Sequence, residues 1–190
     1  MIKVSNNGKW GCINENMIEI VPPIYDEIYF DHLDLNTDVI TVKLNNKWGI
    51  FNMLGNELVA IECDEVKLRY AQFIFFKIDG KWGVKSETGK EILPTKYQEI
   101  KNLYDNDLFA VKINDKWGVI TKTDQIVIPA IYDEEFDSSS DSTIIGTLKD
   151  EKILFDNRGN IIFKQSKKEY DEIELYRVKV LNSGRNCNFR

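Results

Sequence analysis

The stretch Asn114-Asp115-Lys116-Trp117-Gly118-Val119-Ile120 decides the fold, because the chain repeats it. Near copies are Asn45-Asn46-Lys47-Trp48-Gly49-Ile50-Phe51, Asp79-Gly80-Lys81-Trp82-Gly83-Val84-Lys85 and Asn7-Gly8-Lys9-Trp10-Gly11-Cys12-Ile13. All four tryptophans lie in these copies, at intervals of 38, 34 and 35 residues. A recurrence of that length marks a repeat architecture, in which each unit buries its apolar face only by stacking on a neighbour.

Working outward, four strand-like positions recur in each unit, A to D. A is the Trp-Gly strand. A turn follows, Leu54-Gly55-Asn56, Thr88-Gly89-Lys90 or Asn157-Arg158-Gly159-Asn160, where glycine accepts a positive φ. B is a β-branched run such as Ile18-Glu19-Ile20-Val21 or Ile126-Val127-Ile128. Pro22, Pro94 and Pro129 are expected to end it, since proline cannot donate to a continuing ladder. C opens with tyrosine and acids: Tyr25-Asp26-Glu27, Tyr97-Gln98-Glu99, Tyr132-Asp133-Glu134 and Tyr170-Asp171-Glu172, with Cys63-Asp64-Glu65 filling the slot in the second unit. The offset from Trp to this slot is 15 residues in all four Trp-containing units, so the register is constant. D sets a lysine among apolar residues, as in Val42-Lys43-Leu44 and Val111-Lys112-Ile113. The two-residue links Asn45-Asn46, Asp79-Gly80 and Asn114-Asp115 join D to the next A as hairpins. Glu151-Lys152-Ile153-Leu154-Phe155 takes the fifth A position, with Ile153 and Leu154 in place of Trp-Gly.

No window shows a capped 3.6-residue apolar period, so very little helix is expected. The fold class is all-β: tandem repeats of short antiparallel meanders and hairpins, in one domain of about five repeats near 9–46, 47–80, 81–115, 116–151 and 152–184. Partial hairpin copies at 1–13 and 178–190 read as caps. Six D–A hairpins stand against five B–C pairs, whereas a closed ring needs equal numbers. The surplus favours an open curved or superhelical β array over the alternative, a five-bladed β-propeller.

The Lys-Trp-Gly copies, the downstream glycine turns, Pro-x-x-Tyr-Asp-Glu in the first and fourth units and the Val-Lys strand before the next Lys-Trp-Gly resemble the WG-repeat (KWG-repeat) family of bacterial proteins. The second unit departs by lacking Pro and Tyr, and the fifth by lacking Trp-Gly. The resemblance implies an all-β repeat scaffold without enzymatic activity, and includes proteins that look like immunity proteins beside bacterial toxins.

Composition narrows the function. A 43% hydrophobic, 12% aromatic chain of 190 residues is globular. Its start has no apolar core of a signal peptide, and no run is long enough to span a bilayer, so a cytoplasmic protein with no membrane partner is expected. The net charge of −6 argues against a nucleic-acid partner and fits a basic protein. Cys12, Cys63 and Cys187 match no metal spacing and read as free thiols. His32 is the only histidine, no phosphate-binding glycine loop or calcium loop occurs, and no carboxylate pair is singled out. No catalytic residue, metal or cofactor is therefore expected, and no enzyme.

The repeat motif itself, Trp10-Gly11, Trp48-Gly49, Trp82-Gly83 and Trp117-Gly118, is expected to be structural: each ring lies against backbone that only glycine leaves free, rather than forming a sugar-stacking ladder. The lysines before each Trp (Lys9, Lys47, Lys81, Lys116, Lys152) and the acids after each Tyr should form two charged ladders, which either pair or flank a groove. The candidate partner-binding residues lie in the C-to-D connections, where the repeats differ most: Asp31, Asp34, Asp38, Tyr104, Asp105, Asp107, Asp137 and Asp141. Acids interleaved with Leu and Tyr suit a basic protein surface, most concretely a toxin domain masked by an immunity protein. A glycan or cell-wall binder and a purely structural interaction scaffold are the alternatives.

Overall fold

The structure, a computed structural model, describes residues 1–32, 38–69, 73–103, 107–138, 143–166 and 168–169. It forms five antiparallel sheets. The first has three strands, β1 (Ile2–Asn6), β2 (Lys9–Ile13) and β3 (Glu19–Tyr25). The second has β4 (Glu27–His32), β5 (Asp38–Leu44), β6 (Lys47–Asn52) and β7 (Glu57–Cys63). The third has β8 (Glu65–Arg69), β9 (Phe73–Ile78), β10 (Lys81–Ser86) and β11 (Glu91–Tyr97). The fourth has β12 (Glu99–Leu103), β13 (Leu108–Ile113), β14 (Lys116–Thr121) and β15 (Ile126–Tyr132). The fifth has β16 (Asp137–Ser138), β17 (Ile144–Leu148), β18 (Glu151–Phe155) and β19 (Ile161–Ser166). Neighbours along the chain are neighbours in each sheet, so every sheet is a meander. The all-β tandem-meander expectation is borne out. Tyr170-Asp171-Glu172, the copy at 178–190 and Cys187 lie outside the described residues.

The chain divides into two compact units, Met1–Glu99 and Ile100–Arg190. In the first unit, Cys12, Val21 and Tyr25 of the first sheet meet Ile28, Ile40 and Val42 of the second. On the opposite face of the second sheet, Val39, Ile50 and Val59 meet Ile74 and Phe76 of the third. Alternate residues of β5 thus serve two interfaces, which is why this strand is apolar at almost every position. In the second unit, Leu103, Leu108 and Val119 of the fourth sheet meet Phe136, Ile144 and Phe155 of the fifth sheet's chain segment.

The D–A turns follow their sequence. Asn45 and Asn46 take φ of 50° and 65°, and Asn114 and Asp115 take 49° and 60°, the left-handed pair that a two-residue hairpin needs. Inside each A–B turn an oxygen-bearing residue holds two backbone N–H groups: Asn52 accepts from Leu54 and Asn56, Ser86 from Thr88 and Lys90, and Asp156 from Arg158 and Asn160.

Three local expectations are corrected. First, Pro22, Pro94 and Pro129 do not end strand B; each lies inside β3, β11 or β15. In the sheets these are outer strands, paired only to β2, β10 and β14. The register shows why they tolerate proline. Trp10 faces Tyr25 while Cys12 faces Val21, so Pro22, Pro23 and Ile24 bulge outward opposite Gly11 alone. Trp82 with Tyr97 and Val84 with Leu93, and Trp117 with Tyr132 and Val119 with Ile128, repeat this pattern. A proline on an edge strand at a bulge gives up no ladder hydrogen bond.

Second, the tyrosine closes B rather than opening C: Tyr25, Tyr97 and Tyr132 are the last residues of β3, β11 and β15. The chain changes sheets at the next residue, so the sheets run C-D-A-B, half a unit out of phase with the Trp-to-Trp repeat. Third, Glu151, not Lys152, stands at the Lys position of the fifth A strand. Glu151 faces Leu148 as Lys116 faces Ile113, which puts Lys152 at the Trp position and Ile153 at the Gly position. Here Ile153 pairs straight across to Lys164 with no bulge between them, so no glycine is required. The small residue has moved to the opposite strand, where Gly146 faces Ile153 and leaves room for the Phe136 ring.

Candidate functional site

The two charged ladders pair with each other. Lys9 Nζ donates to Asp26, Lys47 Nζ to Asp64 at 2.6 Å, and Lys116 Nζ to Asp133, in each case across 17 residues. The same aspartates accept a second bond from the D–A turn of the following sheet: Asn45 N at 2.8 Å, Gly80 N at 3.3 Å and Lys149 N at 2.7 Å. Each clamp therefore ties one sheet to the next hairpin within its unit. The Lys hydrogen bond first, then the turn N–H, holds the Asp26, Asp64 and Asp133 carboxyls below the usual 3.8. Because their folded values are depressed, the stability they contribute is present above the unfolded value and lost as pH falls through the folded one. Urea midpoints should stay level from neutral pH down to the ordinary carboxylate range and drop below it. Asp64→Asn should flatten that drop, and an unchanged acid profile in this variant would remove the clamp's role.

Trp82 and Trp117 are buried, and Trp10 and Trp48 are half-buried. A lysine ammonium stands over each ring: Lys3 over Trp10 at 4.2 Å, Lys43 over Trp48 at 4.9 Å, Lys67 over Trp82 at 4.3 Å and Lys112 over Trp117 at 5.8 Å.

The acids of the C-to-D connections do not behave alike. Asp38 pairs with His32 Nδ1 at 2.6 Å at the open end of β4 and β5. Asp107 accepts Lys122 Nζ at 2.7 Å, and Asp137 accepts Lys101 Nζ at 3.0 Å. Asp31 alone of the four has no hydrogen bond or ion pair among the described residues. Asp34, Tyr104, Asp105 and Asp141 lie outside the described residues.

Asp31 instead lines a cleft of about 420 Å³ between the second and third sheets, together with Tyr29, Thr41, Trp48, Glu65, Val66 and Leu68. The register builds it. Tyr29 faces Thr41, which faces Ile50, while Lys43 faces Trp48 one pleat further along, so Tyr29, Thr41 and Trp48 share one surface of the sheet. The Tyr29 and Trp48 rings lie 6.2 Å apart at 37°. Tyr29 Oη donates to Glu27 at 2.7 Å, and that bond, with Lys43 Nζ at 3.0 Å, holds the Glu27 carboxyl low. Thr41 is 4% exposed, and its Oγ1 has no hydrogen-bond partner among the described residues. The second repeat's missing tyrosine is felt here: Cys63, not Tyr, faces Trp48. Of the cleft residues, Asp31 alone is among the candidate partner-binding residues of the sequence, where Trp48 reads as structural. The signal for Thr41 was a lone hydroxyl in the apolar run Val39-Ile40-Thr41-Val42.

Cys12 and Cys63 are free and fully buried; burial raises both thiols, Cys63 to about 11. Neither should react with an aromatic disulfide reagent in the folded protein, and both should react after unfolding. Native labelling of Cys63 would show that the second and third sheets part readily. Among the described residues no group of three His, Cys, Asp or Glu could hold a metal ion.

Sheets built as C-D-A-B meanders and tied by Lys–Asp clamps define a β-repeat module. A family model described as "WG containing repeat" matches residues 10–48, 48–82, 82–117 and 117–141, and the chain belongs to this WG-repeat family. No curated protein matches it. Among solved structures it is similar to Kluyveromyces lactis Hsv2 (complete loop 6CD), at 11% identity and a TM-score of 0.43 over 86% of this chain and 58% of that one. It is also similar to a eukaryotic initiation factor, at 9% identity and a TM-score of 0.44 over 86% of this chain and 51% of that one. The chain thus spans little more than half the length of these structures.

Proposed function

We propose that this chain is a non-enzymatic, cytoplasmic module that binds a basic protein, and in particular an immunity protein masking the cationic surface of a cognate bacterial toxin. Asp31 carries the reading. The repeat consumes Asp26, Asp64 and Asp133 in its own clamps, and Asp38, Asp107 and Asp137 have internal partners. Among the described residues Asp31 has none, and it stands beside the exposed Tyr29 and half-buried Trp48 on a chain of net charge −6. Aromatic side chains with an uncompensated carboxylate suit a cationic protein partner. The family supplies a β-repeat scaffold to present them. No nucleic acid or membrane takes part in this reading.

Co-expression with the product of the neighbouring gene tests it. The two should co-purify, the association should weaken as salt rises, and that product should harm cells that lack this chain. A neighbouring product that neither binds nor harms such cells sinks the immunity reading.

A further inference from the structure

The C strands of successive sheets are joined differently in the two units. In the second unit the gap between the fourth and fifth sheets holds the protein's own cation. Lys101 stands four residues after Tyr97 and reaches Glu135 at 2.6 Å and Asp137 at 3.0 Å on the next sheet's C segment. In the first unit the residue four after Tyr25 is Tyr29, which supplies no charge. The gap between the second and third sheets is lined by two carboxylates, Asp31 and Glu65, and of these only Glu65 is answered by a lysine, Lys67.

The cations around this cleft have partners other than Asp31: Lys43 is held by Glu27 at 3.0 Å, Lys67 by Glu65 at 2.9 Å, and Lys3, 6.0 Å from the Tyr29 ring centre, donates to Ile28 O at 3.1 Å. Asp31 is left as a carboxylate without a counter-ion among the described residues. Thr41 adds an independent demand: it lines the cleft, 4% exposed, and its hydroxyl has no hydrogen-bond partner among the described residues. Buried polar atoms are nearly always hydrogen-bonded, so an orphaned one marks a place where something else bonds.

We infer that this cleft is a guanidinium-binding site that takes an arginine side chain of the protein partner. The inference rests on the protein-binding reading above and names the contact it uses. A guanidinium is planar, so it stacks against the Tyr29 and Trp48 rings in a way a compact ammonium does not. Its several N–H groups are enough to reach the Asp31 carboxylate and the Thr41 oxygen together. A neutral sugar would stack as well, but would leave Asp31 without a counter-charge.

The test is a titration of the ¹⁵N-labelled full chain with N-acetyl-arginine amide, read on the four indole N–H signals, with Trp48 assigned by its loss in Trp48→Phe. The Trp48 signal should shift saturably and the other three should stay in place. N-acetyl-lysine amide should shift it at least severalfold more weakly at equal concentration, and chitotriose not at all. Asp31→Asn and Thr41→Val, each confirmed as folded by its far-UV spectrum, should abolish the arginine response. No saturable shift, an equal lysine response, a response to chitotriose alone, or an arginine response untouched in both variants each overturns the inference.

The same variants separate this site from the broader reading. If the neighbouring product binds both variants as tightly as the parent, the cleft is not the contact, while the protein-binding reading stands. If the arginine probe saturates Trp48 but no such product binds the parent chain, the guanidinium site stands and the toxin partner falls.

Discussion

Trp117→Ala should lower the unfolding free energy of the second unit by about 3–5 kcal/mol, the usual cost of removing a buried aromatic. Trp117 is 5% exposed and packs in one cluster with Val119, Ile128, Tyr132, Phe136 and Phe155. Around it Tyr132 meets Phe136 edge-on with ring centres 5.0 Å apart, and meets Phe155 at 5.6 Å. Truncation leaves a void that rings fixed by their own neighbours cannot close. Trp10→Ala in the first sheet should cost clearly less, because that ring is only half-buried and one of its contacts is the ammonium of Lys3. Urea unfolding followed by far-UV circular dichroism makes the comparison without depending on the fluorophore removed. Equal losses at the two positions would mean that burial does not set the value of the motif, and that the shared Trp-Gly geometry does.

The Trp period made the strands, the hairpin turns and the tandem layout legible, because each rests on local chemistry. Asn45-Asn46 and Asn114-Asp115 specify left-handed turns wherever they occur, and the 15-residue offset from Trp to Tyr is the length of the A–B hairpin that pairs Trp117 with Tyr132. What needed the third dimension was each feature fixed by a neighbouring strand. Pro94 reads as a stop in one dimension, and becomes an ordinary bulge residue once β11 is known to be an edge. Lys152 looks like the lysine of Lys-Trp-Gly, and only its pairing with Thr147 shows it one position further on. The site was less legible still. Asp38, Asp107 and Asp137 look as free as Asp31 in the sequence, and their lysine and histidine partners lie 6, 15 and 36 residues away. The Thr41 hydroxyl could be seen among apolar neighbours, but its lack of a partner could not.

Gly11→Ala should be the most damaging methyl that can be added to a Trp-Gly glycine of the first unit. Its new Cβ would lie 2.5 Å from Val21 O and 2.6 Å from Pro22 C and Pro23 N, all of them backbone atoms of the bulge. No rotamer relieves such contacts, so the bulge must shift and the Trp10–Tyr25 pairing must shift with it. Overpacking of this kind costs roughly 1–3 kcal/mol where side chains can adjust, and Gly11→Ala should reach or exceed the upper end. Gly83→Ala supplies the comparison within the same unit. Its Cβ would meet Phe76 Cζ and Thr95 Cγ2 at 2.9 Å, side-chain atoms able to move, with the nearest backbone atom, Leu93 O, at 3.1 Å. It should therefore cost less. The order of the two separates two accounts of the motif. If glycine is there to let strand B bulge over strand A, cost follows the closeness of the bulge backbone, and Gly11→Ala is worse. If glycine is there only to clear space beside the tryptophan ring, Gly83→Ala should be the worse of the two, because Trp82 is more deeply buried than Trp10. The fifth sheet favours the first account: Ile153 occupies the glycine position where the bulge is absent.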